Sequence, residues 1–392
     1  MTKEKYKILI VLTVAAAVFL LAVFLICSGG GPDSDTDSFS VYGSEAVRFE
    51  KAAVNEVISE SLEADEAAGG AASGEQELSV TVESGQHKGS EMLVHNYFGP
   101  LSGVPVSEGD SVIITVRKSA DGEYRAAVYE YNRIPVLLGF VLLFCAVVII
   151  IGGRKGMRSL AGLLITVICL FAVLIPLILR GAPAVPVAFF VCVYIALVCF
   201  TILGGVNRKT AGAFLGTAAG TFLAMFFGMA VQQLAKIDGL RLEDAEALLQ
   251  LNYNGASIDI RGLLSAGIII SALGAVMDVS MSISSSLEEV HAADPSLTRD
   301  DLFRSGMNIG RDMAGTMTNT LILAFLGSEF SLAVFLYSRG LSFYHLFSTA
   351  LVSLETISGL SSSIGMIMTI PLTALISSAL ITRKHFSPPA LS

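Results

Sequence analysis

The run Arg261–Glu289, RGLLSAGIIISALGAVMDVSMSISSSLEE, decides how the chain is read. It is long and apolar enough to cross a bilayer, since about 20 residues span the hydrocarbon core. Yet Asp278 sits inside it among serines. A charge near the membrane interior costs about 2.5–3.5 kcal/mol on insertion scales. On a helix, steps of three or four residues link Asp278 to Ser271, Gly274, Ser282 and Ser285. The other face carries Ile268, Ile269, Ile270, Leu273, Val276 and Val279, which suits lipid. The polar face is therefore expected to turn towards protein or water.

The rest of the chain agrees with a membrane reading. Of its 392 residues 53% are hydrophobic and only 15% charged, where a soluble protein carries roughly 25% charged residues. Mean hydropathy is +0.69. Apolar runs predict eight spans, an all-α polytopic fold. They cover Ile8–Cys27, Ile134–Ile151, Leu160–Leu179, Ala184–Leu203, Ala211–Leu234, Gly262–Ser286, Asp312–Leu336 and Ser361–Ile381. The first is read as an N-terminal anchor (1–27), uncleaved because its core exceeds a signal peptide's. The other seven form a helical membrane domain (134–392). Gly327, Ser328 and Glu329 interrupt the seventh span.

Basic residues orient the spans. Lys3, Lys5, Lys7, Arg154, Lys155, Arg158, Arg208, Lys209, Arg299, Arg304, Arg311, Arg383 and Lys384 fall on one side. Short loops on the other side hold only Arg180, Lys236, Arg241, Arg261 and Arg339. Both termini are thus expected in the cytoplasm, and residues 28–133 outside it.

That external segment is acidic, with nineteen Asp and Glu against seven Lys and Arg. It opens with a flexible acidic linker (28–44) that begins SGGGPDSDTDS. Five short runs of strand character come next: AAVNEVIS, QELSVTVES, SEMLVHNYF, DSVIITVRK and YRAAVYEY. They predict a small extracytoplasmic β-barrel-like domain of OB type over 45–133. A spacer role and a ligand-binding role both suit it. Its acidity argues against polyanions, so no nucleic-acid partner is expected.

Three further patterns concern the membrane domain. Gly212, Gly216, Gly220, Ala224 and Gly228 recur every four residues, a small-residue row that lets another helix approach closely. The row fits packing within the bundle or a seam between two copies, so a homo-oligomer is possible. In GRDMAGTMTNTLILAF, Asp312, Gly315, Thr316 and Asn319 share a face. Asp278 and Asn319 both sit about 10–12 Å inside the membrane at 1.5 Å per residue and could meet. Finally, Glu355, Ser358, Gly359, Ser362, Gly365 and Thr369 align on one face. Glu355–Ile381 is long for one straight span, so it predicts either a break near Gly359–Gly365 or a long tilted helix.

Catalytic and metal signatures are weak. There is no G-x-S-x-G, no P-loop and no HExxH spacing. The five histidines are scattered, and the five cysteines (Cys27, Cys145, Cys169, Cys192, Cys199) lie in or beside apolar runs. Neither a zinc site, a cofactor nor a disulfide-stapled ectodomain is expected, and the chain is not expected to be an enzyme.

The blocks LGAVMDVSMSISSSLEEV, SGMNIGRDMAGTMTNTLILAFLG and SSIGMIMTIPLTAL resemble the YibE/F family of bacterial multi-pass membrane proteins. GQHKG, NYFGPLS and EGDSVIITV look like that family's N-terminal part. The resemblance implies a bacterial plasma-membrane protein with an external N-terminal domain and a helical C-terminal domain. It carries over no catalytic residue.

The expected function is a secondary transporter or permease for a small solute or ion, since no nucleotide site is found. Asp278, Ser271, Ser282, Asp312, Thr316, Asn319 and Glu355 would line its path or form a packing network, with Asp278 as proton carrier. Its partners would be the lipid bilayer and that solute. The alternative is a non-transporting scaffold or sensor whose β domain binds an envelope partner.

Overall fold

The computed structural model describes residues 48–65, 71–118, 124–240, 245–253 and 257–382. The anchor expected at Ile8–Cys27 and the linker at 28–44 lie outside the described residues. The chain divides into two compact units, Gly31–Val147 and the remainder.

The first unit holds five strands: β1 (Arg48–Asp65), β2 (Ala71–Val82), β3 (Glu91–Phe98), β4 (Ser111–Lys118) and β5 (Tyr124–Tyr131). They close into a barrel in the order β1-β2-β3-β5-β4. All neighbours are antiparallel except β3 and β5, which pair in parallel at Val94 with Ala126 and His95 with Ala127. Alternation drives closure, because successive side chains on a strand point to opposite faces. Leu78, Val80 and Val82 of β2, Val94 of β3, and Val112, Ile114 and Val116 of β4 fill the interior. The β1–β2 hairpin runs further than the turn-rich EADEAAGGAASGE implied, with Asp65 still paired to Ala71.

Two buried polar groups pin loops to this barrel. Glu50 is 3% exposed. Its Oε1 accepts from the Gln86 backbone N–H at 3.0 Å and lies 3.0 Å from His87 Nδ1. This closeness requires Gly85, at φ +81, because a β-carbon there would stand 2.5 Å from Glu50 Cδ. Gln76, 1% exposed, holds the loop between β3 and β4. Its Nε2 donates to Glu60 Oε1 (2.7 Å) and the Val106 carbonyl (2.9 Å). Its Oε1 accepts from Asn96 Nδ2 and the Val106 N–H, each at 3.0 Å.

The helical elements are α1 (Ile134–Cys169), a π-turn at Leu170–Leu174, α2 (Ile175–Leu179), α3 (Ala184–Gly204), α4 (Arg208–Leu234) and α5 (Ala245–Tyr253). They continue with α6 (Ile260–Ala293), α7 (Arg299–Ser328), α8 (Phe330–Ser338), α9 (Phe343–Ser348) and α10 (Ala350–Thr382). Among the described residues five helices are long and apolar enough to cross a membrane, or six if α7 and α8 form one span bent by 62°. The two spans expected over Ile134–Leu179 appear as one 46-residue helical stretch. It is broken at Gly153, whose φ of 54 and ψ of −132 are not helical.

Capping boxes set two helix starts. Asn207 and Thr210 exchange side chain-to-backbone bonds at α4, and Thr298 and Asp301 do so at α7. Each satisfies N–H groups that a helix end leaves open. No break occurs near Gly359–Gly365, because α10 is one helix of 33 residues with Pro371 inside. At 1.5 Å per residue it is roughly 50 Å long, beyond the ~30 Å hydrocarbon core, so it tilts or projects.

The core of this unit is the seam where α4, α6 and α10 meet. Gly212, Gly216 and Gly220 of α4 face Ser377, Thr373 and Thr369 of α10, and Gly365 of α10 faces Ala224. That register is antiparallel. An added β-carbon at Gly220 would overlap Thr369 Oγ1 and lie 3.0 Å from Val276 Cγ1 of α6. One at Gly228 would lie 2.9 Å from Ile268 Cγ2. The glycine row is thus occupied from within the chain, leaving no free surface there for a seam between copies.

Hydroxyls bridge α6 to α10 in parallel register. Ser284 meets Ser377 at 2.7 Å, Thr373 donates to Ser280 at 3.3 Å, and Ser271 meets Ser362 at 2.9 Å. Close packing of small residues and such bonds hold membrane helices together where lipid supplies no hydrophobic drive. Among the described residues the hydroxyls of Thr217 and Thr221, both fully buried on α4, find no partner.

Candidate functional site

The stripe through Asp278 does not face inward. Gly267, Gly274 and Asp278 are exposed, while Ile268, Ile269, Leu273, Val276 and Val279 are buried. The face expected to meet lipid is therefore the one packed on α4 and α10. Serine explains the reversal. Ser265, Ser280 and Ser284, alternating with those apolar residues, are small enough for the seam and find partners there. Ser271 belongs to the seam through Ser362, and Ser282 is half-buried.

The α7 stripe is exposed too. Asp312, Gly315, Thr316 and Asn319 lie on its outer face, while Gly306 and Gly310 sit against Ala374 and Ile370 of α10. Thr316 donates back to the Met313 carbonyl at 3.0 Å. Among the described residues no hydrogen bond or ion pair joins Asp278 to Asn319. β-carbons built at Gly267, Gly274 and Gly315 meet nothing within 4 Å, the opposite of the α4 row.

Glu355 does reach a cavity. A volume of about 720 Å³ opens between the end of α7, the bent α8 and the first turns of α10. Phe325, Leu332 and Leu336 form its apolar wall, and Gly359 lets the Phe325 ring approach α10, with 3.4 Å from a built β-carbon to Cδ2. Two carboxylates line it, Glu355 from α10 and Glu329 from the 62° bend. Both are half-buried and within electrostatic reach of each other. Tyr337 and Thr356 contribute the hydroxyls.

The bend puts Glu329 there. Glu329 caps α7 at φ −98 and ψ 15, outside helical values, and its N–H still donates to the Phe325 carbonyl at 3.2 Å. In the sequence, Gly327, Ser328 and Glu329 read only as an interruption. The signal was an acid at a break in an apolar run, where irregular backbone needs a protein-lined cavity. An apolar cavity with a few convergent polar groups is the usual form of a small-molecule site.

A family model described as YibE/F-like protein matches residues 140–383, a stretch that includes every residue of this cavity. No curated protein and no solved structure matches the chain.

Proposed function

This chain belongs to the YibE/F-like family, and on that premise we propose that it is a secondary transporter or permease for a small solute or ion. The observation that carries the reading is the cavity holding Glu329 and Glu355 beside a broken helix. Ionisable residues within membrane segments are costly and mark solute or proton paths. Interrupted helices recur at transporter binding sites because they free backbone groups beside the solute. Asp278, Asp312 and Asn319 stand outside this cavity, so the path is assigned to the two glutamates.

The topology follows the same reading. A straight 46-residue helix would be roughly 69 Å long, over twice the hydrocarbon thickness. Gly156 lies against the Val148 carbonyl, although eight residues of straight helix would separate them by ~12 Å. The chain therefore folds back at Gly153, making two spans. With α7 and α8 as one bent span, the membrane domain has seven. The distribution of Lys and Arg then puts both termini in the cytoplasm of a bacterial cell and the barrel outside its plasma membrane. The order β1-β2-β3-β5-β4 with parallel β3 and β5 supports an OB-type barrel.

One observation favours the second reading, a scaffold or sensor. The exposed faces around Asp278 and Asn319 are too polar for lipid and suit a partner helix, including one from a second copy. Uptake separates the two readings. A strain lacking the protein, compared with its parent across metabolites and ions, is expected to lose flux of at least one solute. The wild-type gene restores it. Glu355→Gln, present in the membrane at the same level, is expected to restore less than about a tenth, as loss of a buried charge contact worth ~1.4 kcal/mol or more implies. Identical flux in all strains would sink the transporter reading and leave the scaffold.

A further inference from the structure

The cavity's chemistry is uneven in a way that selects a ligand class. Its walls are aliphatic and aromatic, yet two carboxylates from separate elements open into it. Neither Glu329 nor Glu355 has an ion-pair partner among the described residues. Arg339, the nearest cation along the bent segment, stacks on Phe335 with 5.7 Å to the ring centroid and does not line the cavity. A carboxylate against an apolar wall is expensive until a cation or a proton neutralises it.

Ligand classes can be compared against those walls. An anion would be repelled by both glutamates. A neutral apolar molecule would fill the volume but strand two charges. A hard divalent ion wants six or more oxygens. Here it would find two carboxylates and two hydroxyls, and otherwise Ile, Leu, Phe, Val, Ala and Gly. Nor do the described residues hold any group of three or more His, Cys, Asp or Glu placed for a metal. An organic cation with an apolar body meets both demands. Its charge sits between Glu329 and Glu355, and its body lies on Phe325, Leu332 and Leu336. A ring such as Phe325 also attracts cations through its π-face. The volume of about 720 Å³ falls in the usual range for drug-sized ligands, ~300–1,000 Å³.

We infer that the cavity between α7, α8 and α10 binds amphiphilic organic cations, with Glu329 and Glu355 holding the charge and the surrounding apolar wall holding the body. The inference rests on the reading of this cavity as a solute site and adds the class of solute.

Binding to the purified full chain in lipid nanodiscs tests it, with empty nanodiscs subtracted. Two probes are used, tetraphenylphosphonium and tetraphenylborate, which share a shape and differ in the sign of charge. Saturable binding of the phosphonium and none of the borate is expected. Glu329→Gln with Glu355→Gln should weaken phosphonium binding at least about tenfold, a step of ~1.4 kcal/mol. Glu329→Asp with Glu355→Asp should keep most of it. Leu332→Trp, which fills the wall and spares both acids, should also weaken it, so the proposal stays testable if the Glu329→Gln, Glu355→Gln double variant does not fold. Equal binding of both probes, or phosphonium binding indifferent to all these variants, would overturn the proposal. So would stoichiometric displacement of the phosphonium by Ca²⁺ or Mg²⁺.

The assay separates this proposal from the transporter reading. Saturable, glutamate-dependent binding without phosphonium flux in proteoliposomes would keep the site and count against transport. Flux of some other solute unaffected by Glu329→Gln and Glu355→Gln, together with no saturable phosphonium binding, would keep transport and remove this site.

Discussion

Gly220→Leu is expected to prevent the helical domain from assembling. A single β-carbon at Gly220 would already overlap the Thr369 hydroxyl of α10 and stand 3.0 Å from Val276 of α6. Relief would require two helices to move apart, and the same seam is registered at Gly212, Gly216 and Gly365. Overpacking by a methyl costs about 1–3 kcal/mol, which is the effect expected for Gly220→Ala. Leucine adds three more carbons at a point with no slack. Size-exclusion profiles and thermal midpoints in detergent should show aggregation or loss of the folded peak. Gly274→Leu is the matched control, because a β-carbon there meets nothing within 4 Å. It should keep the parental profile and gain slightly from replacing a helical glycine, by up to ~1 kcal/mol. Parental stability for Gly220→Leu would show that the three-helix seam is wrong.

Gln76→Leu is expected to unfold the barrel. Gln76 uses both donors and both acceptor positions, a full complement for an amide. Leucine has nearly the same volume and no polar atoms. It would strand the Val106 N–H, the Val106 carbonyl and one N–H of the Asn96 amide, which keeps only its bond to the Val104 carbonyl, in a buried place, since Val106 is 3% and Asn96 1% exposed. Each stranded group costs about 1–3 kcal/mol, so the sum is on the order of 3–9 kcal/mol. Small domains have about 5–15 kcal/mol in total. Limited proteolysis should find the segment between Phe98 and Ser111 cut in the variant and protected in the parent. Equal protection in both would remove the network's structural role.

How much of this was legible in the sequence differs by element, for physical reasons. The barrel was readable because each strand alternates, and Gln76, Leu78, Val80 and Val82 show the period-two burial that closes it. The hairpin arm beyond Ser59 was not, because Glu60, Ser61, Leu62 and Glu63 are exposed in succession and carry no such alternation. The middles of the long helices were readable from apolar length, but not all their starts: α7 begins at Arg299 and α10 at Ala350, well before the spans expected from Asp312 and Ser361. Nor was the rotation of the helices. In α6 one row runs through Gly274, Asp278 and Ser282, and a row on the opposite side through Val276, Ser280 and Ser284. Both mix small and polar residues. Serine is as much at home in a dry helix seam as beside water, so polarity could not choose the inward row. Glu355 was found because it stands on a polar face. Glu329 was missed because it lies at a bend, and a 62° bend is made by tertiary packing that no periodicity reports.

Two environments are opposed here: the space around Glu329 and Glu355 is a water-reachable cavity, and the α4, α6 and α10 seam is dry. Single cysteines in a cysteine-free background test this opposition most directly, through their labelling by a membrane-impermeant thiol reagent in intact cells. Labelling is expected at Leu332→Cys, Val352→Cys and Thr356→Cys, blocked by tetraphenylphosphonium, and none at Ser280→Cys or Thr373→Cys. Unlabelled cavity positions together with labelled seam positions would contradict it.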